Sequence, residues 1–460
     1  MKIKLPIIAI TLLLAISSVS CSTKAESRSF AEVHDAFETR LVKKLNDQDE
    51  IPAPPKGVFD LAYYDSKIGK LAAYVSSDPG DGQKHPLLIW AVGGWSNGID
   101  DFPWTYPSWD NDQTASAFRE AGILMMYPSF RGANGNPGYY ETLFGEIEDL
   151  AAAYDYVASL PYVDPDRIYL GGHSTGGTKV LLASAYTDKF RAVFSFGPVD
   201  EIKLHNTSQF TFDTGNRVEY RLRSPIYWLD DINTPTFIIE GEDGNSDCAR
   251  NIEKRSTNGN IHCYVIDEED HFSILAPLTR LLAQKILADT GGESNIALSK
   301  QELQAAMYMP PVEPMPIMLP YKNSEFHLSV LIPVIWEAEA DSEEAILYFA
   351  SPYDEENFWD ASSLFVELYD IEDVFTLEQF KQELNSDKYD YQIKTIDVNG
   401  QYALIGECIN NDSNGNRYYN MVAAIQDSGL LIMFWFYTPE TYADSAYGMF
   451  LEITNSIELK

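Results

Sequence analysis

Cysteine and basic residues are both scarce in this chain. Four cysteines and seven histidines are spread over 460 residues, and 33 Lys+Arg stand against 69 Asp+Glu, a net charge of -36. Such a surface is repelled by nucleic-acid phosphates and anionic lipid headgroups, so neither is expected as a partner. No CxxC pair and no clustered His/Cys spacing is present, which argues against zinc. No D-x-D-x-D-G loop supports calcium. Neither a metal nor a cofactor is expected. Beyond the first residues, no apolar run is long enough to span a bilayer. Internal repeats and low-complexity tracts are also missing. What remains is 45% apolar and 13% aromatic, enough for well-filled cores, and the length suits two or three domains.

The N-terminus reads MKIKLPIIAITLLLAISSVSC: two lysines, an apolar stretch from Leu5 to Ile16, then small residues up to Cys21. Residues 1–20 are expected to be a signal peptide for export. Cys21, behind Ser18-Val19-Ser20, suits lipidation and hence anchoring to a bacterial cell envelope, facing the periplasm or the exterior. Cleavage by ordinary signal peptidase, leaving a soluble exported protein, remains the alternative. Export places the other cysteines where disulfides persist. Cys248 and Cys263 bracket a short helix-like segment before a strand and can pair, whereas Cys408 stands alone.

Residues 21–56 read as a tether and entry segment. From 57 to 292, strand-like and helix-like runs alternate. LAAYV, PLLIWAV, ILMMYPSF, RIYLGG, AVFSFGP, TPTFIIEG and HCYVID are strands; FGEIEDLAAAYDYVASL, TKVLLASAY and LAPLTRLLAQKILADTGG are helices. Their alternation predicts an α/β domain with a mostly parallel sheet covered by helices on both faces. MPPVEPMPIMLP, within an expected linker over 293–322, cannot continue a helix. From 323 to 460, alternating segments such as FHLSVLIP and LLIMFWFYT, with helix-like TLEQFKQEL and TPETYADSAYGMFLEITNSI, predict an α+β domain with an antiparallel sheet.

One stretch carries chemistry. Gly172-His173-Ser174-Thr175-Gly176 lies between the strand RIYLG and the helix TKVLLASAY. A serine hydroxyl attacks only when a base takes its proton, and a G-x-S-x-G turn lifts the hydroxyl into reach. The Thr175 amide would open the helix and stabilise an oxyanion. A second donor is expected from the loop of LLIWAVGGWSNG, at the amide of Gly94 or Trp95. His271, in DHFSIL after the strand CYVID, is the expected base.

Residues 57–290 resemble the catalytic α/β-hydrolase domain of the prolyl oligopeptidase family and its esterase relatives. PSFRGANGNPG, EIEDLAAAYDYV, PYVDPDRIYLGGHSTGG and DHFSIL carry the resemblance. It implies Ser174 as nucleophile and His271 as its histidine. The family places its acid three residues after a strand-ending glycine, but here that position is Gly244. Asp243, one place early, is the expected acid. Asp247, Glu242 and Asp200 are alternatives, and absence of an acid is left open. Val92 stands where many family peptidases carry an oxyanion-hole tyrosine, which favours an esterase. The stretch between Cys21 and residue 57 is too short for the propeller of the large oligopeptidases. Residues 323–460 resemble the PsbP-like fold through FHLSVLIPVIWE, TLEQFKQEL, NGQYALIGE and FLEITNSI, implying an accessory or docking module.

The expectation is an exported serine hydrolase, a peptidase or carboxylesterase acting on a peptide or ester bond through a Ser174 acyl-enzyme. The alternative is a catalytically silent α/β-hydrolase serving as a binding or scaffold lipoprotein. Oligomeric state is not legible.

Overall fold

The computed structural model describes residues 28–459, apart from 106–108, 206, 310–315, 342–344, 351–361, 371–376, 385–390, 399, 412–416, 428–429 and 440–442. The expected signal peptide and Cys21 lie outside the described residues. Among the described residues, no helix is long and apolar enough to cross a membrane.

The first part is built on eight strands: β1 (Phe59–Ser66), β2 (Gly69–Ser76), β3 (His85–Ala91), β4 (Leu124–Pro128), β5 (Val163–His173), β6 (Val193–Phe196), β7 (Thr236–Gly241) and β8 (Ile261–Ile266). They form one sheet in the order β1-β2-β4-β3-β5-β6-β7-β8. β2 runs antiparallel to both β1 and β4, and the remaining pairs are parallel. The β1–β2 hairpin extends an otherwise parallel sheet at the end remote from the glycine-rich turn.

Helices cover both faces: α1 (Phe30–Asp35), α2 (Ser116–Glu120), α3 (Gly145–Ala158), α4 (Thr175–Tyr186), α5 (Arg217–Leu222), α6 (Ser246–Arg255), α7 (Leu275–Ala288) and α8 (Lys300–Met307). The alternation of strand side chains decides which core each enters. Leu87, Ile89 and Ala91 join one core with Ile147 and Leu150 of α3 and Val180–Ala183 of α4. Leu88 and Trp90 point the other way and meet Phe118 of α2, Leu278 and Leu282 of α7 and Leu303 of α8. β3 is therefore apolar at nearly every position because both of its faces are dry.

Two segments differ from expectation. The stretch expected as a tether contains α1, whose Phe30 and His34 are buried, so it packs onto the parallel-sheet domain from residue 30. The stretch expected as a linker contains α8. Leu303 is fully buried, Lys285 Nζ lies 2.6 Å from Glu302 Oε1, and the Gln304 side chain accepts from the Asp267 N–H at 3.0 Å. The proline-rich part of that stretch falls largely on residues outside those described.

The C-terminal part holds β9 (Met318–Asn323), β10 (Leu328–Pro333), β11 (Glu337–Asp341), β12 (Ile346–Ala350), β13 (Ser363–Asp370), α9 (Leu377–Leu384), β14 (Gln392–Val398), β15 (Gln401–Asn411), β16 (Arg417–Asp427), β17 (Leu430–Pro439), α10 (Ala443–Asn455) and β18 (Glu458–Leu459). Seven of its strands form an antiparallel sheet, β11-β12-β13-β17-β16-β15-β14; β18-β10-β9 form a second, smaller one. Met449, Phe450 and Ile453 of α10 enter the core on one face of the large sheet. Leu377, Phe380 and Leu384 of α9 enter the core on the other. The antiparallel α+β expectation holds.

Candidate active site

β5 ends at His173 and α4 begins at Thr175, so the chain turns from strand to helix at Ser174 alone. Ser174 has φ +57° and ψ −116°, a conformation that L-residues avoid, and the surroundings hold it there. Its N–H donates to the Phe196 carbonyl at 2.8 Å. Its carbonyl accepts from the Thr178 N–H at 3.0 Å and the Thr178 hydroxyl at 3.2 Å. Glycine is required where α4 crosses β3, since a Cβ on Gly176 would lie 2.0 Å from the Ala91 carbonyl oxygen.

The Thr175 N–H opens α4 and has no backbone partner among the described residues, as expected of a first helical turn. The Thr175 hydroxyl donates a short hydrogen bond to the Gly94 carbonyl and clamps the β3 loop to the turn. In the planar trans peptide that follows, the Trp95 N–H points away from Thr175. Asn97 anchors the same loop from below: its side chain donates to the Arg131 carbonyl and to Glu146 Oε1, both at 2.9 Å, and its carbonyl accepts from the Phe130 N–H at 2.8 Å. Arg131 is in turn held by Asp149 through a two-pronged contact at 2.9 and 2.8 Å. The motif stretches RGANG and EIEDL thus act by fixing the loop that follows β3.

His271 lies in the loop between β8 and α7, and its Nδ1 is 2.9 Å from Glu240 Oε2. Glu240 is fully buried. Its Oε1 accepts from the Gly241 N–H at 2.8 Å and its Oε2 from the Asn245 N–H at 2.9 Å. Asn245 also donates from its side chain to the Gly197 carbonyl at 2.9 Å. Two glycines make room for the pair. A Cβ on Gly197 would come 2.3 Å from His271 Cε1, and one on Gly244 would come 2.6 Å from Glu240 Oε1.

The expected acid, Asp243, therefore does not meet His271. It is exposed, and its backbone N–H donates to the Glu269 carbonyl at 2.9 Å. Glu242 and Asp247 are turned to Arg250, at 3.5 and 3.6 Å. Asp200 is buried and bonded to the Asn251 side chain. The carboxylate comes from inside β7, one residue ahead of the glycine, and reaches His271 from the strand end. One signal in the sequence marked it: a lone glutamate in the apolar strand TFIIEG must find a partner to be buried.

Two further histidines border this place. His173 is fully buried, its Nε2 lies 3.0 Å from the His271 carbonyl, and its ring centroid is 4.4 Å from that of His271. Burial lowers its pKa to about 3, with the nearby His271 adding to the effect. His205, edge-on to Trp95 at 4.9 Å, is lowered to about 4 by burial and then by His271. Both are neutral at pH 7.

The cysteine pair expected as a disulfide is not one: Cys248 and Cys263 are free. Cys248 is buried in α6 and Cys263 half-buried on β8, and burial raises their thiols to about 11 and about 12. His34 Nδ1, Asp35 and Glu148 present ligand atoms within 4.8 Å of one another. The cation's place there is taken by the Lys67 ammonium, 3.2 Å from Asp35 Oδ1 and 2.7 Å from Glu148 Oε1.

With its strand order, its serine turn after β5 and a histidine–carboxylate pair supported by β7 and β8, the first part has the α/β-hydrolase fold. Within it, residues 109–247 match the model of the prolyl oligopeptidase family. A polyketide transferase, claH, of Penicillium crustosum is 33% identical over 104 residues, 22% of this chain and 33% of that protein. The uncharacterized peptidase YtmA of Bacillus subtilis (strain 168) is 28% identical over 137 residues, 27% of this chain and 53% of that protein. The structure of a puromycin-hydrolyzing peptidase of Mycobacterium tuberculosis covers 53% of this chain and 41% of its own, at 20% identity and a TM-score of 0.43. This chain thus spans from a third to about half of the two curated relatives' length. The family match supports a hydrolase.

Proposed function

We propose that the protein is a serine hydrolase cleaving a peptide or ester bond through an acyl-enzyme on Ser174. The observation that carries this reading is the 2.9 Å contact between His271 Nδ1 and buried Glu240 in a domain whose serine stands on a strained turn. Glu240 holds the imidazole with its proton on Nδ1, leaving Nε2 free to take the Ser174 proton. Ser174 Oγ then attacks the acyl carbon. The Thr175 N–H, with the Gly94 N–H as second donor, stabilises the oxyanion. His271 returns the proton to the leaving amine or alcohol, and water repeats the sequence to free the acid.

The silent-scaffold alternative rests mainly on the lack of an acid at residue 244, and the Glu240–His271 contact favours the enzyme reading. A fluorophosphonate probe tests the reading. Wild type should label and Ser174→Ala should not; folded wild type that fails to label overturns it.

Export, with a lipid on Cys21, belongs to the same proposal. Cys21→Ala should move the protein from the membrane fraction to the soluble exported fraction. The C-terminal part, with a helix on each face of its antiparallel sheet, is proposed as a PsbP-like accessory module.

A further inference from the structure

We propose that His173 is the positioning residue of the catalytic histidine, tying the loop that carries His271 to the turn that carries Ser174. The inference rests on the hydrolase reading above and adds a residue to it.

A backbone carbonyl can only accept, so the 3.0 Å contact with the His271 carbonyl requires the proton of His173 on Nε2. Its Nδ1 then carries the lone pair, and that atom is buried with no hydrogen-bond partner among the described residues. A Cβ on Gly93 would lie 3.3 Å from the same nitrogen. One side chain therefore ties the end of β5 to the histidine loop through Nε2–H, and its Nδ1 edge faces the space beside Gly93 of the β3 loop. Burial strips the ring of water and keeps it neutral, so it sets no positive charge beside an imidazolium forming on His271.

The contact complements the one made by Glu240. Glu240 fixes the tip of the His271 side chain, whereas His173 fixes its main chain. His271 sits in a turn segment rather than in β8 or α7, so neither a ladder nor a helix holds that carbonyl. The rings of His173 and His271 are tilted by 42°, and Phe272 lies edge-on to both, 5.4 Å from His173 and 5.0 Å from His271. A base displaced by about 1 Å from the serine can cost on the order of 10²-fold in rate.

A packing role alone makes a different prediction. His173→Phe keeps an aromatic ring of similar size and loses the N–H. His173→Gln places an amide donor near the former Nε2. If His173 positions His271, the Phe variant should fold and show a kcat and a fluorophosphonate labelling rate about 10- to 100-fold below wild type, with KM changed little. The Gln variant should recover part of that loss. Labelling of His173→Phe at the wild-type rate, or equal loss in Phe and Gln, overturns the proposal. A second readout is independent of turnover. Imidazole ¹⁵N spectra of the wild type should include, among the buried histidines that stay neutral down to pH 5, a resonance protonated on Nε2 that His173→Phe removes. If His173→Phe removes no such resonance, the tether is absent, whatever the enzyme does. Failure of wild type to label, with that resonance present, would instead count against the hydrolase reading.

Discussion

Glu240 Oε2 lies 2.9 Å from His271 Nδ1, and both of the glutamate's oxygens are further occupied by backbone N–H donors. A carboxylate held in this way orients the imidazole and opposes the charge that forms on it. Glu240→Gln should leave the fold intact and lower kcat by up to about 10⁴. Asp243→Asn should keep stability within about 0.5 kcal/mol and leave turnover near wild type, because the residue is exposed and away from the ring. Steady-state kinetics on the two variants decide between the acids. A larger loss in Asp243→Asn would reverse the assignment.

The glycines around the pair should tolerate no side chain. Gly197 has φ +59°, and an added Cβ would press on His271 Cε1 and on Glu240 Oε2 at 2.9 Å. Gly197→Ala is expected to lose about 10²-fold or more in labelling rate. It should also lose on the order of 1–3 kcal/mol of stability. Retention of both by the variant would mean that the pair is not held at this separation.

The three described cysteines should behave as thiols. In denaturant without reductant, Cys248 and Cys263 should both alkylate, and reductant should not shift the melting temperature. In the native state, alkylation should be slow at neutral pH, because burial keeps both thiols protonated. A mass two units lower, with both cysteines refractory until reduction, would contradict this.

Two buried histidines should make the native state sensitive to acid. In the unfolded chain they titrate near 6.5, whereas burial lowers His173 to about 3 and His205 to about 4. Above pH 6.5 both states are neutral and the groups add no pH dependence. As the pH falls below 6.5, the unfolded chain binds protons that the native chain does not, so their contribution to stability is lost toward pH 3–4. Urea unfolding at pH 7.5 and pH 5 measures this. The loss between the two should be smaller in His205→Phe than in wild type, and an unchanged difference would show that His205 is not held neutral.

The sheet and its helices were largely legible because burial on two faces writes itself into sequence. PLLIWAV is apolar at every position, and GHSTG sits between a strand and a helix with glycine where backbones must touch. Ser174 and His271 were legible for the same reason: a strand precedes each, and the turn chemistry is local. The β1 strand is not legible, since FDLAYYDS alternates too loosely to stand out. α1 and α8 read as tether and linker in the sequence because short amphipathic helices get their order from the core they cover.

Sequence by itself determined most strands of the parallel sheet, the serine turn and the order of Ser174 and His271, because these depend on neighbours within a few residues. Only the tertiary structure decided which carboxylate meets His271, that Cys248 and Cys263 stay apart, and that His173 reaches the histidine loop. Each of these is a spatial relationship between separate segments. Glu240 reaches His271 from the buried end of β7, whereas Asp243, three residues on, faces solvent.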